Sequence, residues 1–159
     1  MAKVKAVPEG LHTITPQLVV NEGAKFIEFA KKAFGAEETI RMNHPDGKGI
    51  WHAALRIGDA ILFVADEATG VMKSARSLGV TPFTIQINVE DAEQMFKRAV
   101  GAGATVTMPL SDMFWGDRYG QVLDSFGNTW AISQHVKDLT PQEMERGAKE
   151  AAARMGGKR

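Results

Sequence analysis

The chain has 159 residues, 44% of them hydrophobic and 24% charged, the balance of a single globular domain rather than of a disordered or fibrous protein. Nineteen Lys/Arg and 19 Asp/Glu cancel, and no basic stripe stands out, so the electrostatic footprint of a nucleic-acid binder is missing. There is no cysteine, which excludes disulfide staples, thiolate nucleophiles and sulfur-ligated metal sites and leaves His, Asp, Glu or Gln to hold any metal.

Residues 1–10 read as a flexible arm ending at Pro8 and Gly10. A first module over 11–66 opens with a strand from Leu11 to Val20, its apolar face Ile14, Pro16, Leu18 and Val20 and its polar face including Gln17. Phe26, Ile27, Phe29, Ala30, Ala33 and Phe34 recur at helical spacing, predicting a helix over Gly23–Phe34 that stops at Gly35. Strands follow at Thr39–Asn43 and Ile50–Ile57 around a Pro/Gly turn, and Gly58-Asp59 folds the chain back onto Ala60–Ala65. Residues 67–80 form a polar, partly helical linker.

The second module, 81–136, starts with a strand whose apolar face is Phe83, Ile85, Ile87 and Val89 and whose polar face is Thr84, Gln86 and Asn88. A helix over Glu90–Gly101, a strand at Thr105–Met108 and a hairpin from Gly120–Asp124 to Asn128–Gln134 complete it. In the last segment, 137–159, Thr140 and Glu143 form a capping box with Pro141 between them, predicting a helix over Pro141–Met155 and a frayed tail.

The two halves repeat each other. Thr15 and Gly58 recur 69 residues later as Thr84 and Gly127, and Gly35-Ala36 recurs 68 later as Gly103-Ala104. The pattern predicts an α+β fold of tandem βαβββ modules whose curved mixed sheets surround a cup, with an added C-terminal helix. Neither module is large enough to close a core alone, so each must pack on the other or on a partner chain. The cup is where a ligand belongs.

Candidate site residues follow from that placement. His52 and Arg56 share strand parity and can meet an anionic ligand, with His52 as acid or base; otherwise His52 bonds a neighbouring strand or an interface. The run Met113-Phe114-Trp115-Gly116-Asp117-Arg118-Tyr119 puts Phe114 and Trp115 forward for stacking and Arg118 for a carboxylate or phosphate, unless the Asp117–Arg118 pair only fixes a loop at a seam. Gln17 and Gln86 offer amides to the cup. His12 and His44 read as solvated, and His135 as a strand cap. A non-standard metal site from His52 with Glu67 or His44 is a minor alternative.

Thr15-Pro16, Phe34-Gly35-Ala36-Glu37, His52-Ala53-Ala54-Leu55-Arg56-Ile57-Gly58-Asp59, Phe114-Trp115-Gly116-Asp117-Arg118-Tyr119-Gly120 and Asp124-Ser125-Phe126-Gly127-Asn128-Thr129-Trp130, in this order and spacing, resemble the vicinal-oxygen-chelate superfamily of glyoxalase, bleomycin-resistance and extradiol dioxygenase proteins, nearest its PhnB-like branch. The resemblance covers about residues 12–145 and implies a homodimer binding a small organic molecule. It also implies four cup-facing metal positions, which fall on Thr15, Leu62, Thr84 and Ala131, none a credible ligand. A metal-independent binding protein with no cofactor is therefore expected; whether it catalyses is left open. The alternatives are a lyase, isomerase or dioxygenase-like enzyme with an atypical metal or His52 as acid–base, and a structural or regulatory dimer with a vestigial pocket. No stretch reaches the ~20 apolar residues that cross a bilayer and the N-terminus lacks an apolar targeting core, giving a cytoplasmic expectation.

Overall fold

The computed structural model describes residues 5–68 and 70–156. The first module runs β1 (Gln17–Val20), α1 (Gly23–Phe34), β2 (Glu37–Asn43), β3 (Ile50–Ile57) and β4 (Ala60–Asp66); after a short α2 (Ala75–Leu78) comes β5 (Thr84–Asn88), α3 (Ala92–Gly101), β6 (Thr105–Asp112), β7 (Asp117–Leu123) and β8 (Thr129–His135). The last element is α4 (Pro141–Gly156). Two four-stranded sheets result, ordered β1-β4-β3-β2 and β5-β8-β7-β6, each with its first and last strands parallel and the rest antiparallel. The sheets do not close into a barrel. This is the expected α+β pair of βαβββ modules.

Helices α1 and α3 lie against each other and back the sheets. Their apolar faces, with the inward residues of both sheets, form one continuous core. Phe26 meets Phe126 edge-on at 5.4 Å and Phe34 lies 4.5 Å from Trp130, so the first helix is packed into the second module. Opposite the helices, each sheet keeps an open face. Leu18 and Val20 are buried while Gln17 between β1's start and the core is exposed, and Ile85 and Ile87 pack inward while Thr84, Gln86 and Asn88 face out.

Among the boundaries that differ from the sequence reading, three bear on the site. β1 begins at Gln17 rather than Leu11, and Ile14 is 84% exposed: the segment before it leaves the ladder, with Pro16 lacking a donor N–H. β6 continues through Pro109 to Asp112, tolerable because β6 is an edge strand with register shifts there. β7 begins at Asp117, so part of the aromatic segment is strand rather than loop.

The repeat register also shifts. Gln17 pairs with Phe63, whereas Gln86 pairs with Ala131. Superposing the first strands with Gln17 on Gln86 therefore brings Phe63, not Leu62, onto Ala131. Leu62 is 4% exposed and belongs to the core.

Candidate functional site

Pairing fixes which side chains share the open face of the first sheet. Gln17, Phe63 and Ala54 stand in one row, Arg56 pairs with Ile61 on one side and Glu37 on the other, and His52 pairs with Met42. The His52 ring meets Phe63 edge-on at 4.7 Å. Arg56 is half-exposed and forms an ion pair with Glu37, and Gln17 reaches Met72 Sδ at 3.8 Å. Around them Ile40 and Met42 are more than half exposed. This is an apolar surface carrying one imidazole, one amide and one paired guanidinium.

The second open face is polar and internally tied. Gln86, Ala131 and Gln121 form one row, Asn88, Ser133 and Tyr119 the next, and His135 with Asp117 a third. Gln86 donates to Asn88 and Gln121 to the Tyr119 hydroxyl, each at 2.8 Å. Asp117 is the hub. Its Oδ2 accepts from Trp115 Nε1 and Ser133 Oγ, both at 3.2 Å, and its Oδ1 lies 2.9 Å from His135 Nδ1. His135 Nε2 is 2.9 Å from Asp138, and these two carboxylates, Asp138 first, raise the imidazole's pKa above its ordinary value. Trp115 stands edge-on to Tyr119 at 5.5 Å, so its ring is fixed both by its indole N–H and by a neighbouring aromatic.

The structure separates residues that the sequence grouped. Arg118 has the opposite strand parity to Asp117 and turns to the helix side, where it bonds Asp112 at 2.8 Å and Glu93 of α3 at 3.1 Å and draws Asp112 below the ordinary carboxylate range. The Asp117–Arg118 pair offered as the alternative is not formed, and Arg118 lies on the helix side, away from the open face. Phe114 is edge-on to Trp115 but packs beneath α4, where a Cβ on Gly147 would come within 2.8 Å of Phe114 Cβ. His52 lies on β3 of the first sheet and Trp115 in the β6–β7 turn of the second module, so the two candidate groups belong to different modules.

The metal positions fare no better in space. Ala131 faces the open side, Leu62 is core, Thr15 precedes β1 and Thr84 offers only a hydroxyl. Among the described residues, no group of three or more His, Cys, Asp or Glu side chains could hold an ion. The atypical set also dissolves. Glu67 is engaged by the Ser74 and Ser77 hydroxyls at 2.6 Å, which lower its pKa, and His44 pairs with Asp46. The four positions Thr15, Leu62, Thr84 and Ala131 supply no imidazole or carboxylate donor.

The sequence reading missed Asp117, Ser133, Tyr119 and His135 as one cluster. The signal was available only through cross-strand register, which places residues 117 and 135 side by side.

A family model for the Glyoxalase/Bleomycin resistance protein/Dioxygenase superfamily matches residues 10–132. An uncharacterized protein of Mycobacterium bovis is 43% identical over 136 residues, covering 83% of this chain and 89% of that protein. Among solved structures, TioX from Micromonospora sp. ML1 is similar at 26% identity and TM-score 0.63, covering 79% of this chain and all of that one. A PhnB protein from Bacillus cereus shares the fold at TM-score 0.60 and 14% identity, over 77% of this chain and 99% of its own.

Proposed function

Because the chain belongs to the glyoxalase/bleomycin resistance protein/dioxygenase superfamily, we propose that it binds a small organic molecule on its open sheet faces without the metal site of that superfamily. The observation that carries this reading is the second open face, where Trp115 and Tyr119 give an aromatic platform flanked by the Gln86, Asn88 and Gln121 amides. Such a surface offers stacking and directional hydrogen bonds, which is what holding an organic ligand requires. The apolar first face, carrying His52, Phe63 and Gln17, is its complement, brought opposite the second face by a second copy of the chain in a homodimer. Cytoplasmic residence is part of the same proposal; no helix among the described residues is long and apolar enough to cross a membrane.

Two measurements test it. Elemental analysis of protein purified without a chelating tag should find far less than one divalent metal per chain; an equimolar metal would overturn the metal-free reading. A small-molecule screen read by tryptophan quenching should yield ligands whose affinity drops by about 1–3 kcal/mol in Trp115→Ala with the fold intact. If Trp115→Ala leaves every affinity unchanged, the open face is not the site.

A further inference from the structure

The two modules differ at their last hairpins, and the difference leaves a cleft. The β7–β8 tip is long enough to swing Phe126 against α1, edge-on to Phe26 at 5.4 Å and 6.2 Å from Phe29, where it is 4% exposed. The β3–β4 tip is only Gly58-Asp59, because Ile57 already pairs with Ala60, and it carries no plug. Beside that short tip, between the modules, lies a cleft of about 470 Å³ walled by Phe34, Ile57, Leu62, Ile87, Met95 and Trp130. Gln86 and Asn88 reach it from β5, and Asp59 is the one charged residue among those lining it.

We propose that this inter-module cleft is a second binding site, meeting the amide-lined face only at Gln86 and Asn88 on β5, and that it takes a compact apolar molecule that is uncharged or carries an amine. Its volume is in the range that small organic ligands fill. Most of its wall points into the core rather than to the open faces, so water there has few polar partners and an apolar body displaces it favourably. Met95 gives an adaptable wall, and Trp130 and Phe34, their rings tilted 41° to each other, an aromatic floor. Asp59 at the hairpin tip attracts a cation and repels an anion. The occupant is thereby distinguished from one suited to the amide-lined second face, which has no need of a positive charge.

The test uses the whole chain and the neutral fluorophore N-phenylnaphthylamine. Saturable uptake with blue-shifted emission is expected, together with a shift of the Met95 methyl signal in methionine-labelled protein. Naphthylmethylamine should displace the fluorophore about ten-fold more effectively than naphthoate, and Asp59→Lys should reverse that order. Ile57→Trp, which fills the cleft from the short hairpin, should abolish uptake, while Trp115→Ala should leave it unchanged. Absence of saturable uptake, an unmoved Met95 methyl, or loss of uptake in Trp115→Ala would each overturn the cleft as the site; an unchanged order of amine and acid in Asp59→Lys would overturn the assigned ligand charge. Should Ile57→Trp fail to fold, the Met95 methyl in the unaltered chain still decides the location.

Discussion

Asp124 closes the final hairpin by itself. It is 4% exposed, and its carboxylate accepts from the Phe126 and Asn128 N–H groups, the Asn128 amide and Trp130 Nε1, all within 3.0 Å. Replacing it with Ala would strand the indole N–H and the Asn128 amide in a buried place, so Asp124→Ala should lose about 3 kcal/mol in urea denaturation; a loss under about 1 kcal/mol would mean the loop holds without it. His135 makes a pH prediction. Its pKa is raised in the folded chain, chiefly by Asp138 and then by Asp117, so the stabilisation is complete below the unfolded value of about 6.5 and disappears as pH rises through the raised one. An NMR titration should find this imidazole above about 6.5, and His135→Gln should flatten the stability profile across that window; an unshifted titration would refute the two-carboxylate clamp. At this scale alternation along a strand was enough to read Gln17, His52 and Gln86 as sharing the exposed side. It was not enough for Arg118, whose side depends on β7 starting at Asp117, or for Leu62, whose side depends on a one-residue difference between modules.

Elements with a strong period were legible. Helix α1 and strand β3 fall where their apolar spacing put them, and the Thr140–Glu143 capping box forms, the Thr140 N–H donating to Glu143 at 2.8 Å. Elements whose extent is set by partners were not. β6 passes a proline because only one of its edges is paired, and β7 gains its first residues because β8 is long enough to bond them. The same dependence governs α4, which is held to the body where Gly147 lies on Phe114. A larger side chain has no room there. Gly147→Leu should free α4, seen as faster proteolysis within 137–146 with the denaturation midpoint of the body unchanged. A variant as resistant as the original chain would show that α4 is anchored elsewhere.

For the molecule as a whole, the shared core ties the two halves together: Phe26 and Phe34 of the first module are buried against Phe126 and Trp130 of the second. What the core leaves uncovered supports the proposed homodimer. Ile40, Met42, Phe83 and Met108 are each 39–53% exposed, more apolar rim than an isolated chain ordinarily presents. Light scattering at micromolar concentration should give twice the chain mass, and Met42→Lys with Ile40→Glu should halve it; a monomer before substitution would refute the pairing. The fold class was visible in the repeat, whereas the partnership of the faces needs the register that only the folded sheets supply. The parallel pairing of first and last strands in each module has a consequence for synthesis. β1 must wait for β4 to emerge before it has a neighbour, and β5 must wait for β8. The first half can close once Asp66, which accepts from the Gly23 N–H at its helix start and the Ile50 N–H, has left the ribosome. Until His135 follows, α1 exposes the phenyl rings meant for a partner not yet made, and the nascent chain passes through an interval in which a chaperone has something to hold.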